Sequence, residues 1–516
     1  MPHDTLLPHA DAPLPHMRSG ARAPVLIAGA GPIGLAAAVD LALHGVASIV
    51  CDDNDTVPVG SRAICWSKRT LEIFDRLGLG GRMVDKGVTW KVGRLFHRDT
   101  EVYSFDLLPE RGHKMPAFIN LQQYYVEQYL VERCADFPGL IDLRWKNRVA
   151  HVAQDSGSVR ARIETPEGAY EIAADYLLAC DGAHSSIRTG LGLDFVGQAF
   201  EERFLIADIR MDAGFPSERW FWFEPPFHKG QSALLHKQPD NIYRIDLQLG
   251  PDADPHEERR PERVIARIRA MLGERAFELA WVSVYSFQCR RLERFVHGRV
   301  IFAGDAAHVV SPFGARGGNG GIQDVDNLCW KLAAVLRGEA GTALIETYNE
   351  ERLRGADENI LHSTRATNFM SPQGRVERAF RNAVLGLAAQ VPFARRLVNS
   401  GRLSQPCSLD GLSLQTPALR GAGLAPGMPC PDAPHGEGWL LHALGGSFCL
   451  LSVGGARPPA VAGLAQVHAV GAEAVLRYGD GNVYLIRPDQ HVAARFVEPE
   501  VWEIERALRR GLGAPA

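Results

Sequence analysis

The chain has 516 residues, 46% hydrophobic and 22% charged, with a net charge of −4 and a pI near 6.5. At roughly 100–200 residues per domain, this predicts two to four domains around a large buried core. The mild acidity gives no footprint for nucleic acid or an anionic membrane. The nine cysteines form no CxxC and no apolar run reaches 18 residues, so a disulfide framework, a zinc knuckle and a membrane span are not expected.

Residues 1–22 are rich in Pro, His and Ala and lack the apolar stretch of a signal peptide, so they read as a disordered tail. His3, His9 and His16 in this tail are not expected to bind a metal, and no metal site is expected elsewhere. Reduced thiols point to the cytoplasm. The apolar run 24–28 then reads as a buried parallel strand, followed by Gly29, Gly31 and Gly34 and an Ala- and Leu-rich helix that stops at Gly45. A second apolar run, 46–51, ends in Asp52. In this order each glycine has a job: Gly29 for the tight turn, Gly31 for close approach of a pyrophosphate, Gly34 for packing helix on strand. Asp52 is placed to accept hydrogen bonds from a ribose. The pattern predicts dinucleotide binding and does not separate FAD from NAD.

Further along come Gly60, Ser61, Arg62 and Ala63, then Gln123 four residues before Glu127 on a predicted helix. The apolar strand 176–180 leads into Asp181 and Gly182, with Ser185 and Arg188 after them. Residues 204–209, 220–223, 232–236, 243–249 and 282–287 alternate as antiparallel strands should. The strand 299–303 ends in Gly304 and Asp305, and a stretch with Pro312, Phe313, Gly314, Arg316, Gly317, Gly318, Asn319, Gly320 and Gly321 reads as a low-bulk loop. A helix over 322–337 follows, and 372–400 also reads as helical. From 421 the composition shifts to Gly, Pro and Ala, with a strand predicted at 447–453 and a further apolar-rich segment at 483–493.

Three of these segments, the glycine turn, Asp181 to Arg188, and Gly304 to Asp324, together resemble the class A flavoprotein aromatic hydroxylases. The resemblance runs from 24 to about 350. It implies an α/β fold: a Rossmann-type FAD-binding domain over 23–200 and 291–400, an inserted antiparallel sheet for substrate over 201–290, and a thioredoxin-like C-terminal domain over 401–516. It implies FAD contacts from Gly29, Gly31, Gly34, Asp52, Arg62, Gln123, Asp181, Gly304, Asp305, Pro312, Gly317, Gly318 and Asn319. Trp222, His236, Arg244 and Phe313 are the expected substrate contacts, from a set that also holds Trp220, Phe223, Phe227 and Tyr243. His236, Arg244 and Pro312 are the expected catalytic residues. Asp52, Arg316 and Gly318 depart from the residues common in that family (Glu, Gln or Lys, and Met or Leu).

The implied activity is hydroxylation of a phenolic ring with NADH or NADPH and O₂, through a flavin hydroperoxide. The implied partners are a small aromatic substrate and O₂, with a homodimer as the assembly and neither nucleic acid nor membrane. Two alternatives on the same fold stay open: an antibiotic or polyketide monooxygenase, and a flavin halogenase. Residues 220–225 approximate the halogenase WxWxIP with Glu224 in place of Ile, but there is no clear match for its catalytic lysine, Lys68 lying after the Gly60–Ala63 segment on a predicted helix.

Overall fold

Five strands lie together in parallel, and the apolar runs among them need cover on both sides. Their order is Val300–Phe302, Gly168–Ala179, Ala21–Ala28, Ser48–Cys51 and Ile141–Arg144. The structure is a computed structural model that describes residues 21–57, 63–250, 252–372, 374–398, 403–419 and 421–514. Ala21 and Arg22, expected in the tail, instead open the first strand. The helix Pro32–Leu43 crosses from the first strand to the second and is buried along most of its length. Its cover is the helix Gly317–Leu336, whose Val325, Leu328, Cys329 and Leu332 join the same core.

The second sheet has eight strands and differs from the expected 201–290 unit. Its order is His308–Val309, Glu278–Arg291, Val196–Arg210, Ile242–Leu249, Ser232–Lys237, Arg219–Phe223, Val92–His97 and Thr100–Asp106. The last two strands come from the segment assigned to the FAD domain. They add to the sheet because Arg219–Phe223 pairs in parallel with Val92–His97.

Helices cover both faces of this sheet. On one face Val264, Ile268 and Leu272 of the helix Pro261–Leu272 pack on Leu205, Ala207, Trp222, Leu235, Tyr243 and Ile245. On the other, Phe204, Phe221, Phe223, Leu234 and Phe287 meet Phe313, Phe369 of the helix Ala343–Met370 and Leu385 of the helix Arg375–Gln390.

The C-terminal region builds a four-stranded sheet in the order Ala465–Ala469, Cys449–Val453, Asn482–Ile486 and Val492–Val497, with the first pair parallel and the others antiparallel. The segment 483–493 lies in the hairpin formed by the last two of these strands, which turns at 487–491. Fully buried charges join this unit to the rest. Glu351 of the helix Ala343–Met370 accepts from Arg487 at 2.6 and 2.9 Å, from Lys331 at 2.6 Å and from Asn327 at 2.7 Å. Arg487 also grips Asp489, and Arg69 donates to the carbonyl of Asp489 and to Asp326. Among the described residues no helix is long and apolar enough to cross a membrane.

Candidate active site

The three glycine-bearing segments, far apart in sequence, meet at the carboxyl ends of the parallel strands. Gly29 has φ +104°, and a Cβ there would strike the carbonyl oxygen of Cys180, next to Asp181. A Cβ on Gly34 would strike the carbonyl of Gly29, and one on Gly304 would come within 2.9 Å of Ile33. Gly31 behaves differently: nothing lies within 4 Å of a Cβ built there, and it caps the uncapped N-terminus of Pro32–Leu43 in extended backbone. Free N–H groups therefore face open space at the positive end of a helix dipole, a fit for a pyrophosphate.

Asp52 closes the second strand, where its Oδ2 accepts from the backbone N–H of Ala30 at 2.6 Å and its Oδ1 from that of Asn54 at 2.8 Å. It braces the turn it was expected to serve, and a carboxylate with four lone pairs keeps capacity for a ribose. Arg62 lies outside the described residues. Gln123 accepts from the N–H of Ala63 at 3.1 Å and donates to Glu127 at 2.8 Å.

At the opposite end of the groove Asp305 is exposed, and its Oδ1 would lie 3.9 Å from a Cβ on Gly317. Asp181 is partly buried. Its Oδ2 accepts from the N–H of Ile187 at 3.2 Å, its Oδ1 has no partner among the described residues, and burial raises its pKa.

The stretch after Asp305 corrects the sequence-based expectation. Gly317, Gly318, Gly320 and Gly321 are not a loop; they are the start of the helix Gly317–Leu336. The glycines serve close packing: a Cβ on Gly321 would lie 2.5 Å from Ile33 Cδ1, and one on Gly318 would lie 3.3 Å from the ring of Trp66. The side chain of Asn319 is likewise taken up by protein, accepting from Ser67 N at 2.9 Å and donating to the carbonyls of Cys65 and Ala315. What these residues offer a ligand is backbone: the first N–H groups of a helix with no side-chain cap. The turn before it is exposed at Pro312, whose carbonyl accepts from Ala315 at 3.0 Å, and Gly314 and Ala315 both have positive φ. For Ala315 that is a strained conformation.

The substrate side follows from strand parity. Residues two apart share a face, so the aromatic candidates divide. Trp222, 9% exposed, stacks on Phe96 with centroids 5.2 Å apart on the face covered by Pro261–Leu272. Trp220, Phe227 and Tyr243 lie in the same cluster. Trp222 therefore points away from Phe313 and is not on the wall it was expected to line. Phe313 meets Phe204 and Phe287 edge-on, at 4.9 and 5.7 Å. Lys68 pairs with Glu72 one turn along its own helix.

Three rows cross the Phe313 face. Phe223, Ser232, Gln248 and Phe204 form the first, and Phe221, Leu234, Asp246 and Ile206 the second. The third is polar: Arg219, His236, Arg244 and Asp208, in register on four adjacent strands. Arg244 is not a free cation, because it makes a two-pronged pair with Asp208 at 2.8 and 2.9 Å. His236 is 4% exposed, with its Nδ1 3.9 Å from Cys65 Sγ. Burial first, then Arg219 and Arg244, hold its pKa well below the usual value, so it is neutral at physiological pH and a poor base.

Two charged residues that sequence reasoning passed over, Arg219 and Asp246, share this wall. Burial raises Asp246 to about 6 against the pull of Arg244, and its Oδ1 has no partner among the described residues. The signal for both was parity with Phe221, Leu247's neighbours and the other alternating strand residues.

A family model described as an FAD binding domain matches residues 22–363. A 12-dehydrotetracycline 5-monooxygenase/anhydrotetracycline 6-monooxygenase of Streptomyces rimosus subsp. rimosus is 31% identical, over 95% of this chain and 99% of its own length. A 3-(3-hydroxy-phenyl)propionate/3-hydroxycinnamic acid hydroxylase of Mycolicibacterium smegmatis is 28% identical over 74% of this chain and 67% of its own. The crystal structure of the flavin-dependent monooxygenase PieE, in complex with FAD and substrate, superposes with a TM-score of 0.78 at 22% identity, covering 96% of this chain and 100% of that one.

Proposed function

This chain belongs to the FAD-binding-domain family and is an FAD-dependent monooxygenase, and from that premise we propose that it hydroxylates a phenolic aromatic ring with NADH or NADPH and O₂. The observation that carries the reading is the wall opposite Phe313: aromatic at one end and charged at the other, on one sheet face. Such a surface suits a flat ring with a polar substituent. Bound FAD supplies the redox and oxygen-activating chemistry. The protein's own part is to hold the ring, exclude water and manage the proton of the hydroxyl.

In this reading Gly31 and the N-terminus of Pro32–Leu43 take the pyrophosphate, while Asp52, Gln123, Asp181 and Asp305 supply polar contacts along the cofactor. Gly29, Gly34, Gly304 and Gly318 let the surrounding backbone close up. The N–H groups of Gly317 and its neighbours, beside Pro312, would be the ones to stabilise negative charge on the bound cofactor. Phe313, Phe204 and Phe287 pack the substrate ring. His236 is a neutral hydrogen-bonding partner, and Asp246 is the group that accepts the hydroxyl proton. Arg244 positions this row through Asp208.

A specific observation favours a second reading, in which the substrate is a fused polycyclic phenol. The tetracycline-pathway relative matches end to end, whereas the hydroxyphenylpropionate enzyme leaves a quarter of this chain unmatched. The experiment is to follow NADH and NADPH oxidation with O₂ uptake over monocyclic phenols and fused polycyclic phenols. Stimulated oxidation with a hydroxylated product supports the reading, and the better class chooses between the two. A yellow protein that oxidises neither nicotinamide with any phenol would sink both.

A further inference from the structure

Of the fourteen large apolar side chains that stand exposed among the described residues, five fall between 376 and 397: Val376, Phe380, Leu387, Phe393 and Leu397. Scattered singly, such residues need no explanation; crowded onto one short segment, they do. Val376, Phe380 and Phe393 are 78, 61 and 64% exposed. Val376, Phe380, Ala383 and Leu387 follow one another along the helix Arg375–Gln390 at the spacing of a single helical face. That face is fixed outward. Arg381, Val384, Leu385 and Ala388 of the same helix are buried, the three apolar ones in the Phe313 cluster, and Arg381 is paired with Glu224. Turning the stripe inward would break that pair and empty that contact. The 3-10 turn Pro392–Leu397 packs back on the helix, with Ala394 buried and Phe393 and Leu397 exposed.

Positive charge frames the stripe. Arg375 and Arg378 stand in the first turn of the helix, and Arg395 and Arg396 between Phe393 and Leu397; all four are exposed. Glu377 is the one acidic residue from 375 to 398. Arg395 lies over the ring of Tyr103, and none of the four forms an ion pair among the described residues. The net charge of −4 conceals this patch, because the acids that produce it lie elsewhere in the chain.

We infer that this face docks on an anionic lipid surface, with Val376, Phe380, Leu387, Phe393 and Leu397 entering the acyl boundary and the arginines meeting headgroup phosphates. A helix with Phe and Leu on one side and Arg beside them lies in the plane of such an interface, its apolar face only about 5–10 Å deep, so no spanning helix is needed. A second copy of the chain fits worse. A two-fold contact sets the patch against itself, and arginine then meets arginine. A nucleic acid would engage the arginines and leave the apolar stripe in water. Docking in this way sets the lipid one helix away from the aromatic end of the substrate wall, whichever substrate is taken.

The test sediments the full-length, FAD-loaded enzyme with vesicles of phosphatidylcholine, alone or mixed with phosphatidylglycerol, at about 0.1 M salt. The mixed vesicles should bind it at least about tenfold more tightly than the neutral ones, and added salt should erase the difference. F380E should weaken binding to the mixed vesicles by about tenfold or more while the protein keeps its flavin. R375Q, R378Q and R396Q combined should bring the mixed vesicles down to the level of the neutral ones. Hydrogen exchange of the unaltered enzyme gives a reading that needs no variant: backbone amides from 375 to 398 should exchange more slowly with mixed vesicles than without. An enzyme that binds neither vesicle overturns the inference. So does F380E protein that holds FAD and binds as before, and so do amides from 375 to 398 that vesicles leave unprotected. Sedimentation velocity without lipid tests the rival occupant: a dimer that F380E splits would give this face to a second copy and overturn the lipid assignment.

Discussion

Asp246 sits among charges of both signs. Arg244 is two residues before it on its own strand, Asp208 faces it from Val196–Arg210, and Arg219 from Arg219–Phe223, with neutral His236 between. Burial dominates and lifts its pKa to about 6. A carboxyl group accepts a proton only when ionised, so a step that needs Asp246 as acceptor gains as pH rises through about 6. The profile of kcat/KM should show an acidic limb there, falling about tenfold per pH unit below it. D246N should lose that limb and about 10²-fold in kcat/KM. A limb that survives in D246N assigns the titration to another group. Neither Arg219 nor Asp246 stood out in the sequence, whereas Trp222 did, because an aromatic residue draws the eye more than parity does. Parity divides the strand residues correctly, but it does not say which set faces the cofactor. Both faces here are helix-covered and apolar, so the deciding contacts, Phe313 on one side and Pro261–Leu272 on the other, come from distant segments.

At the scale of elements, the glycine turn after the first strand and the Asp181 and Asp305 segments were legible, because each is a strand end followed by a glycine with a stated backbone need. The start of Gly317–Leu336 was not. Each glycine disfavours a helix by about 1 kcal/mol relative to alanine, so local propensity predicts a loop. Packing against Ile33, Gly304 and Trp66 overrides it, since only glycine lets this helix come so close. The glycines of the site are therefore of two kinds, and substitution should separate them. G31V has room for its side chain within the fold but fills the space offered to the pyrophosphate. Its apoprotein should melt like the parent while its flavin content drops to near zero. G321A places a methyl 2.5 Å from Ile33 Cδ1 and should cost about 1–3 kcal/mol by overpacking. That loss should appear as a lower Tm with or without FAD. Equal behaviour of the two variants in flavin content and thermal melts would contradict this division.

In the whole molecule, the C-terminal unit is fixed by charge as much as by apolar contact. Burial alone would raise the pKa of Glu351, but Arg487 and Lys331 outweigh it and hold the carboxyl well below the usual range. Its stabilising share is present above the unfolded value of about 4.3 and is lost as pH falls toward the depressed folded value. Acidification below about pH 4 should therefore loosen the C-terminal unit, seen as new cleavage between it and the helix Ala343–Met370 in limited proteolysis. E351A, which strands Lys331 and Arg487 in the interior, should cost about 3–5 kcal/mol in denaturant unfolding at neutral pH. A cost under about 1 kcal/mol would mean that water reaches the cluster. None of this network was legible in the sequence, because its members are spread from Arg69 to Asp489 and each looks like an ordinary surface charge until the fold brings them together.

One helix takes part in both ends of this design. Gly317–Leu336 has 20 residues and so spans about 30 Å, with its first N–H groups beside the cofactor groove and Asp326, Asn327 and Lys331 in the ion cluster. Interchangeability of parts follows from that. A chimera that exchanges the strands of 196–291 for those of another scaffold leaves the helix's ionic attachments in place and rewrites only the substrate wall. One that exchanges the chain after 403 must bring its own Arg487 and Asp489, or it leaves Glu351 without its guanidinium partner and Arg69 without the carbonyl of Asp489. The part of the molecule that looks most like an appendage is thus the harder one to swap.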